Sequence, residues 1–336
     1  MKTTIVITSI FAPTEAVLKF SAMEDFNLII VGDEKSPDSY ICPGVEYLKF
    51  SDQDKLGFEI TALLPSNHYC RKMLGYLQAV RAGAKIIVDT DDDNIPKSNW
   101  RFPPSSGTFV SSGNALGYIN IYKYFTDKNI WPRGLPLKLI KEKSPWINSL
   151  KTKNYGNVGV WQGLADEDPD VDAIWRLVYD EPTYFEEKEP IVLDSGTVAP
   201  FNSQNTWFCE NLFPLLYLPT FVTFRFTDIL RGLVAQPIMW AHGFNLGFCN
   251  ASVVQKRNPH DYMRDFSSEI PMYRHSEHVI DCISDAVKPG QSIESNLRGA
   301  YSALNQMDIV CNKELEVLDS WLNDLSKITL RKSGRS

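Results

Sequence analysis

The N-terminal third of the chain alternates strand-like and helix-like segments. Runs of β-branched and other apolar residues predict strands at residues 3–9 and 26–33, and the segment between them suits a helix. A helical stripe of apolar residues at 68–82 then leads through a glycine into an apolar strand at 84–89. Strands that alternate with helices in this order favour an open, mostly parallel α/β sheet.

The strand at 84–89 ends in an unusually acidic turn. Asp89, Asp91, Asp92 and Asp93 follow the run Ile-Ile-Val within the segment IIVDTDDDNIP. Ligands of open parallel sheets bind outside the carboxyl ends of the strands, so these carboxylates lie where a ligand is expected. Together they could hold one hard divalent cation that keeps several waters and bridges to a diphosphate. The alternative is a solvated acidic turn that only ends the strand.

Three further side chains are candidates for the same site. Arg71 lies on the predicted helix before the acidic turn, off its apolar stripe, and either faces a ligand or lies in solvent. Arg133 is held among tryptophan and proline neighbours in WPRGLPL, which is unusual for a purely solvated arginine. Asp228 begins a predicted helix in FRFTDILRG, where the helix dipole favours its charged form. It is either a general base or a simple helix-start residue.

Composition excludes several function classes. The formal net charge of −7 argues against nucleic acid as a partner bound by overall charge. The dinucleotide motif GxGxxG after the first strand, the phosphate loop GxxxxGK[ST], the elbow GxSxG and the zinc motif HExxH are all missing. No secretory signal and no apolar run long enough to span a membrane are found, and the six cysteines form no CxxC pair. These features predict a soluble, cytoplasmic protein with no transmembrane segment.

Several segments together resemble the nucleotide-sugar glycosyltransferases of the GT-A fold. The chain is especially similar to the reversibly glycosylated polypeptides, which are UDP-arabinopyranose mutases, and most similar to the STELLO-type glycosyltransferase-like proteins. The segments that carry the resemblance are VGD (31–33), CRKMLGY (70–76), DTDDDN (89–94), NIWPRGLPL (129–137), GVWQGLADEDPDVDAIWRL (159–177), APFNSQNT (199–206), FRFTDILRG (224–232) and VVQKRNPHDYMRDF (253–266).

The resemblance covers roughly residues 1–285 and implies a domain organisation. It implies an α/β, Rossmann-like GT-A fold with a mixed central sheet, whose nucleotide-binding half is residues 1–118 and whose acceptor half is residues 119–285. The helical patterns at 286–330 lie outside the resemblance and are expected to form a C-terminal helical extension. Plant STELLO-type proteins carry a membrane anchor, and this chain is expected to lack one.

The resemblance also implies roles for single residues. Asp91 and Asp93 match the outer positions of the DxD motif, which serve Mn²⁺ (or Mg²⁺) and the nucleotide diphosphate, and Asp92 lies between them. Asp228 matches the acceptor-side base of inverting enzymes. The remaining expectations are Asp33 at the uridine, Arg71 and Arg133 at the nucleotide, and His260 as a third metal ligand with His242 as its competitor.

The function that this resemblance implies is metal-dependent transfer of a sugar, with inversion, from a UDP-sugar to a glycan or other hydroxyl acceptor. Residues 161–163 and the loop 164–172 are expected to line the sugar and acceptor pocket. The context would be polysaccharide biosynthesis, with peripheral association with a glycan assembly system. Two alternatives remain open: a sugar-nucleotide mutase of the UDP-arabinopyranose mutase type, in which a protein arginine is transiently glycosylated, and a non-catalytic scaffold with a GT-A-like fold.

Overall fold

The computed structural model describes residues 2–257 and 260–333. Within that part of the chain the helices are α1 (Glu15–Ser21), α2 (Lys72–Arg81), α3 (Tyr122–Phe125), α4 (Ala173–Val178), α5 (Thr227–Ala241), α6 (Tyr262–Ala286), α7 (Ile293–Gln306) and α8 (Asn312–Ser333). The strands are β1 (Thr3–Thr8), β2 (Phe26–Val31), β3 (Val45–Leu48), β4 (Ile86–Thr90), β5 (Asn94–Pro96), β6 (Gly107–Ser111), β7 (Gly117–Tyr118), β8 (Lys151–Tyr155), β9 (Val158–Asp166), β10 (Ile191–Leu193), β11 (Thr197–Val198), β12 (Asn205–Cys209) and β13 (Asn245–Gln255).

One large mixed sheet organises the molecule. Its strand order is β3-β2-β1-β4-β12-β9-β13-β10-β6-β8, with β5 paired to β13 beside this path. The first four strands of that order are parallel, whereas β12 runs antiparallel to both β4 and β9. The predicted α/β class with a mixed central sheet and C-terminal helices is confirmed, and the architecture is consistent with a GT-A-like fold.

The parallel half forms because its apolar strands are buried on both faces. Val6 at the centre of β1 is fully buried, and α2 packs so closely on this half that a Cβ on Gly75 would lie 2.5 Å from the Val6 side chain and 2.7 Å from that of Val31. α8 covers part of the side of α2 that faces away from the sheet. As a result α2 is buried on nearly all sides, and its polar residue Lys72 is buried too.

The C-terminal helices pack on the sheet domain. Trp321 of α8 is fully buried and donates from Nε1 to the carbonyl oxygen of Pro214 at 3.0 Å. Asp324, also of α8, accepts from the backbone N–H groups of Glu59 and Ile60, each at 3.0 Å. These contacts tie the extension to the core, and the predicted domain boundaries at 118 and 285 stay predictions.

Residues 262–275, a mostly polar stretch, form the first part of α6. Asp261 caps α6 by accepting from the first-turn backbone N–H groups. The helix is held by a buried stripe that includes Met272, Val279 and Ile283, which contacts α5 and α7. The stripe is sparse at its start, where polar residues dominate.

One expectation for the sugar pocket fails because of core packing. Trp161, expected in the sugar pocket, is a core residue of β9, because its ring packs on Gly247, where a Cβ would lie 2.3 Å away, and meets the ring of Phe109 at 5.1 Å. Across residues 2–257 and 260–333, none of the helices has the length and apolar character needed to cross a membrane.

Candidate active site

An open cleft lies at the carboxyl ends of β1 and β4. The chain leaves β1 for β2 on one side and returns with β4 on the other, and ligands of open α/β sheets bind at such a point. The cleft has a volume of about 250 Å³. Its lining residues are Thr8, Tyr69, Asp91, Asp92, Asp93, Arg133, Asp170, Ser203, Gln204, Phe224, Arg225, Asp228, Gln255, Arg257 and His260.

Six of the eight predicted site residues therefore meet in one cleft. They are Asp91, Asp92, Asp93, Arg133, Asp228 and His260. They come from four distant stretches of the chain, which the fold brings together. Whether each binds a ligand stays a prediction.

The aspartate wall, Asp91 to Asp93, is only partly satisfied by the protein. Asp93 accepts from the Gln255 side-chain amide at Oδ2 (3.2 Å), whereas its Oδ1 is buried and has no hydrogen-bond partner among the described residues. Burial, together with the charges of Asp93 and Asp89, raises the pKa of Asp91 to about 7 despite the opposing effect of Lys72. Burial and the neighbouring Asp92 raise the pKa of Asp93 to about 6. The wall carries more negative charge than its surroundings neutralise.

Two buried cations hold the wall from below. The Lys72 ammonium lies 2.8 Å from Oδ1 of Asp89, 2.8 Å from Oδ1 of Asp91 and 2.8 Å from the carbonyl oxygen of Thr90. The other oxygen of Asp89 accepts from Arg231 at 2.6 Å. Asp89 is thus fully paired inside the protein, while only one oxygen of Asp91 is engaged in this way. Lys72 lies off the apolar stripe of its helix, yet tertiary packing buries it completely.

The opposite wall contains a closed ion-pair cluster, the Arg133 clamp, formed by Arg133, Asp170 and Asp228. Arg133 donates to both oxygens of Asp170 (2.7 and 2.8 Å) and to both oxygens of Asp228 (3.0 and 2.9 Å). Ser203 N–H also donates to Asp228, at 3.2 Å. Burial alone would raise the pKa of Asp228, but the Arg133 guanidinium outweighs it and holds that pKa below its usual value.

Further cations line the same side of the cleft. Arg225 donates to Glu269 at 2.9 Å, and Arg257 lies 3.2 Å from Asp265. Burial and the nearby arginines Arg225 and Arg176 lower the pKa of Arg257. His260 contacts Asp265 through Nδ1 at 3.0 Å, so that nitrogen is engaged away from the aspartate wall.

Asp33 and Arg71 do not line the cleft. The Asp33 carboxylate accepts from the backbone N–H groups of Glu34, Asn67 and His68, which fixes the loop before α2. The Arg71 guanidinium donates to Gln53 Oε1 and to the carbonyl oxygen of Leu64, with the Nε–Oε1 distance at 2.8 Å. Their nucleotide contacts stay predictions.

The competing candidate His242 lies elsewhere, at the end of α5. Its ring nitrogens contact the carbonyl oxygens of Ile238 (2.8 Å) and Gln291 (2.9 Å). Because both nitrogens meet backbone oxygens, this histidine serves the junction between α5 and the loop before α7.

An aromatic wall, formed by His68, Tyr69 and Phe224, borders the cleft and was not predicted. The rings of His68 and Tyr69 stack at 5.6 Å, and Phe224 meets the Tyr69 ring edge-on at 4.6 Å. Phe224 is 52% exposed although it is large and apolar. The only sequence signal was Phe224 in FRFTDILRG, whose pairing with the distant 68–69 segment needs the tertiary fold.

The charges that line the cleft suit a divalent cation. Its lining contains five aspartates and three arginines, so carboxylates exceed guanidinium groups by two. The buried, unpartnered Oδ1 of Asp93 lies beside the half-engaged Asp91. Within the described ranges no group of three or more His, Cys, Asp and Glu residues is arranged to hold a metal unaided. Mg²⁺-like ions commonly need only one or two carboxylates, because waters and substrate phosphates supply the other ligands.

The chain is similar in sequence to known glycosyltransferase-like proteins. Residues 225–333 match a family model described as STELLO glycosyltransferases. Two proteins of Arabidopsis thaliana, the probable glycosyltransferases STELLO1 and STELLO2, are 27% and 29% identical over 255 and 254 residues. The predicted resemblance to STELLO-type glycosyltransferases is confirmed.

Each alignment covers 69% of this chain but 32% of the STELLO relative, so the chain spans about a third of the length of the curated relatives it matches. The STELLO family match contains Arg225, Asp228, Arg257 and His260 of the cleft. It also runs through α7 and α8. The expectation that the resemblance ends near residue 285 is therefore wrong, and the C-terminal helices belong to the similar region.

Proposed function

We propose that the chain is a metal-dependent glycosyltransferase that binds a nucleotide-sugar, with UDP as the expected nucleotide, in the cleft between the aspartate wall and the Arg133 clamp. The observation that carries the proposal is the buried, unpartnered Oδ1 of Asp93 beside Asp91 at the carboxyl end of β4. A buried carboxylate oxygen without a partner is costly unless a ligand completes it. The similarity to proteins named probable glycosyltransferases supports the same reaction class.

Asp91 and Asp93 would hold the Mn²⁺ or Mg²⁺ ion, and Lys72 would keep Asp91 in place. When bound, the ion neutralises charge on the diphosphate, which is the leaving group of sugar transfer. The protein supplies a rigid base for that site, since Lys72 and Asp89 are both fully buried. His260 keeps Nε2 for a ligand, because Nδ1 contacts Asp265.

The sugar would lie toward the Arg133 clamp. Ser203 lines the cleft there, and its hydroxyl is buried without a partner in the part of the chain that the structure describes. Gln204 lines the same region. Hydroxyl and amide groups suit sugar hydroxyls, which both donate and accept hydrogen bonds. Arg133 fixes this surface rather than reaching into the cleft, because its guanidinium is held by Asp170 and Asp228.

Asp228 is our proposed base for the acceptor hydroxyl. Its lowered pKa keeps it ionised at neutral pH but makes it a weak base. It can therefore take the proton only late, once the hydroxyl oxygen has largely bonded to the anomeric carbon and the proton has become acidic. Attack from this side, opposite the leaving diphosphate, is a displacement with inversion.

The Arg133 clamp favours transfer over the mutase alternative. An arginine can attack a sugar only after losing a proton, and the carboxylates of Asp170 and Asp228 raise the pKa of Arg133 well above its usual value despite burial. The guanidinium is also fully occupied by its partners. Arg133 is thus a poor nucleophile.

The test is to incubate the protein with a panel of UDP-sugars and Mn²⁺, and to measure released UDP together with sugar transferred to added oligosaccharides. Wild type should release UDP only with the metal. Asp228→Asn should lose transfer but bind the nucleotide, and exposed Asp25→Asn is the matched control. Conversion of UDP-arabinopyranose to the furanose without transfer would instead support the mutase. Absence of both reactions, with no nucleotide bound, would support the scaffold alternative.

A further inference from the structure

A second groove lies at the opposite end of β4 from the cleft. Its floor is the sheet surface where β1 and β4 begin and β12 ends, and there Ile86 pairs with Thr3 on one side and with Cys209 on the other. The groove has a volume of about 490 Å³, and none of the described residues lines both it and the cleft. Asp91 follows Ile86 by five residues, which is about 16 Å of extended chain. The groove is therefore a separate site.

One wall of the groove is the segment 100–105, and the protein holds this segment in place. The carbonyl oxygen of Pro104 accepts from the indole N–H of Trp161 at 3.2 Å. The carbonyl oxygen of Ser105 accepts from the backbone N–H of Val158 at 2.7 Å. Two successive prolines within the segment restrict its backbone further. The wall is thus preformed, as the walls of ligand pockets usually are.

Aromatic side chains from three parts of the chain line the groove. Trp100 meets the rings of Phe26 at 5.2 Å and Phe102 at 5.6 Å, in both cases edge-on. Trp207 lies on the floor, on β12, where it pairs with Val88 of β4. Phe26 and Phe102 are half-buried, so part of each ring stays open to solvent. The rings are fixed by packing against one another and offer a flat apolar surface.

Two hydrogen-bond donors beside these rings have no partner in the part of the chain that the structure describes. Arg101 is exposed and forms neither an ion pair nor a hydrogen bond there. Trp207 is only 7% exposed, yet its Nε1 donates to none of the described residues. Five other buried tryptophans donate from Nε1 to a protein oxygen, namely Trp100, Trp131, Trp161, Trp175 and Trp321. The groove therefore holds donors that the protein itself leaves unused.

The charge and the position of the groove exclude two kinds of occupant. Lys85 is paired with Glu210, which leaves Arg101 as the unpaired cation among the described lining residues. A nucleic acid or an anionic lipid surface needs several cations. β4 is paired on both sides, so a peptide strand cannot be added to the sheet here. The volume, the rings and the few polar groups are instead typical of a pocket for a small organic ligand.

We propose that this groove binds an oligosaccharide, with Trp207 and Phe102 packing on the C–H faces of its sugar rings. The Nε1 of Trp207 and the guanidinium of Arg101 would donate to its oxygens, because sugar hydroxyls accept hydrogen bonds as well as donate them. The choice of a sugar over other ligands with an apolar face rests on the proposed function, in which the chain transfers sugar to a glycan. The groove then holds the glycan away from the cleft.

The experiment measures, by calorimetry, the binding of mannohexaose, xylohexaose, cellohexaose and glucose to wild type, Trp207→Phe and Arg101→Ala. We expect one hexasaccharide to bind wild type at least about tenfold more tightly than glucose, because a single ring fills only part of the groove. Each substitution should weaken that hexasaccharide by about fivefold, since each removes one hydrogen-bond donor.

Matched controls are Trp240→Phe, at a half-buried tryptophan of α5, and Arg274→Ala, at an exposed arginine of α6. Neither residue lines the groove, and both variants should bind the hexasaccharide as wild type does. Circular dichroism checks the fold of each variant. If Trp207→Phe is misfolded, the exposed Arg101→Ala alone decides.

Three results overturn the inference. No hexasaccharide binds wild type, or the hexasaccharide binds Arg101→Ala and a folded Trp207→Phe as tightly as wild type, or Ser203→Ala in the cleft weakens it while Arg101→Ala does not. UDP with Mn²⁺, titrated into the same wild-type sample, separates this failure from that of the proposed function. UDP binding without hexasaccharide binding removes the groove site alone. Hexasaccharide binding at the groove without UDP binding removes the transferase and leaves a glycan-binding protein.

Discussion

The two walls of the cleft differ in how their buried carboxylates are paired. Both contain buried carboxylates, but in the Arg133 clamp every oxygen of Asp170 and Asp228 meets a guanidinium N–H. In the aspartate wall, Oδ1 of Asp93 is buried without a partner in the described structure, and the pKa values of Asp91 and Asp93 are raised. The protein itself saturates the carboxylates of the clamp, whereas it leaves one buried carboxylate oxygen of the aspartate wall without a partner in the part of the chain that the structure describes.

Residues of the Arg133 clamp therefore stabilise the fold, whereas residues of the aspartate wall are available to bind a ligand. Breaking a buried ion pair leaves an uncompensated charge and costs much stability. Removing a buried charge that has no partner relieves strain instead. Substitutions in the clamp should therefore destabilise the fold, and substitutions in the aspartate wall should change binding at little cost to the fold.

The largest expected effect comes from opening the clamp. Arg133→Ala leaves Asp170 and Asp228 buried and unpaired, and should lower the free energy of unfolding by about 3–5 kcal/mol. Urea denaturation measures it. Arg101→Ala, at an exposed arginine, is the control and should stay within about 0.5 kcal/mol of wild type. A loss below about 1 kcal/mol for Arg133→Ala would show that the clamp does not hold the wall.

Lys72→Met tests the cation beneath the aspartate wall and should cost less, about 3 kcal/mol at the lower end of the range for buried pairs. Asp89 keeps Arg231 after the change, and the Asp91 side chain is 38% exposed, so water can replace the lost ammonium. Thermal and urea unfolding measure the effect. A loss larger than that of Arg133→Ala would reverse the proposed order of the two walls.

Glu314 on α8 is a buried carboxylate whose hydrogen-bond donors are all neutral, in contrast to the guanidinium donors of the clamp. It is fully buried and accepts from the backbone N–H groups of Thr220 (2.8 Å) and Phe221 (2.7 Å) and from the Tyr217 hydroxyl. This holds the segment that leads to Phe224. Glu314→Ala should cost about 2 kcal/mol, because buried N–H groups lose their acceptor, and Glu314→Gln should cost less.

Glu314 also predicts a pH dependence. Burial raises its pKa despite the donors, so the folded state binds this proton more tightly than the unfolded state does. Its contribution to stability is therefore present below the usual glutamate pKa and is lost as the pH rises through the raised value. Unfolding followed across this acidic range should show a shallower fall for Glu314→Gln than for wild type. Parallel curves would contradict the raised pKa.

The smallest effect on stability, and opposite in sign, is expected in the aspartate wall. Asp93→Asn removes a charge from a buried position with an unpartnered oxygen and should raise the free energy of unfolding by about 1 kcal/mol. The same substitution in the clamp, Asp170→Asn, should lower it by about 2 kcal/mol, because the pairing with Arg133 weakens. If both substitutions destabilise equally, the contrast between the walls is wrong.

Sequence patterns predicted the parallel half of the fold because its strands are local signals. Apolar β-branched runs at 3–9, 26–33 and 84–89 are seen as β1, β2 and β4. The start of α6 was not predictable from its polar composition, because few apolar residues mark its buried face there. Contacts with α5 and α7 hold the helix instead. Local periodicity likewise leaves Lys72 off the apolar stripe of α2, whereas tertiary packing buries it on the opposite face.

The candidate site divides in the same way. Asp91 to Asp93 stand out because four aspartates follow one strand, and Asp228 stands out at a helix start. Partners such as Asp170 for Arg133, or Phe224 for Tyr69, are far apart in the chain, and only the sheet order brings them together. The sequence therefore indicates which charged or apolar side chains are candidates for the site. It does not indicate which of them already have a hydrogen-bond, ion-pair or packing partner within the protein.

The most direct test of the central claim is the binding of UDP, measured by calorimetry with and without Mn²⁺, to wild type and to Asp93→Ala. We expect tight binding to require Mn²⁺, and we expect Asp93→Ala to weaken it by at least about tenfold while the protein stays folded, since a carboxylate ligand would be lost. UDP binding that is equally tight without Mn²⁺ and in Asp93→Ala would contradict a metal-dependent donor site at the aspartate wall.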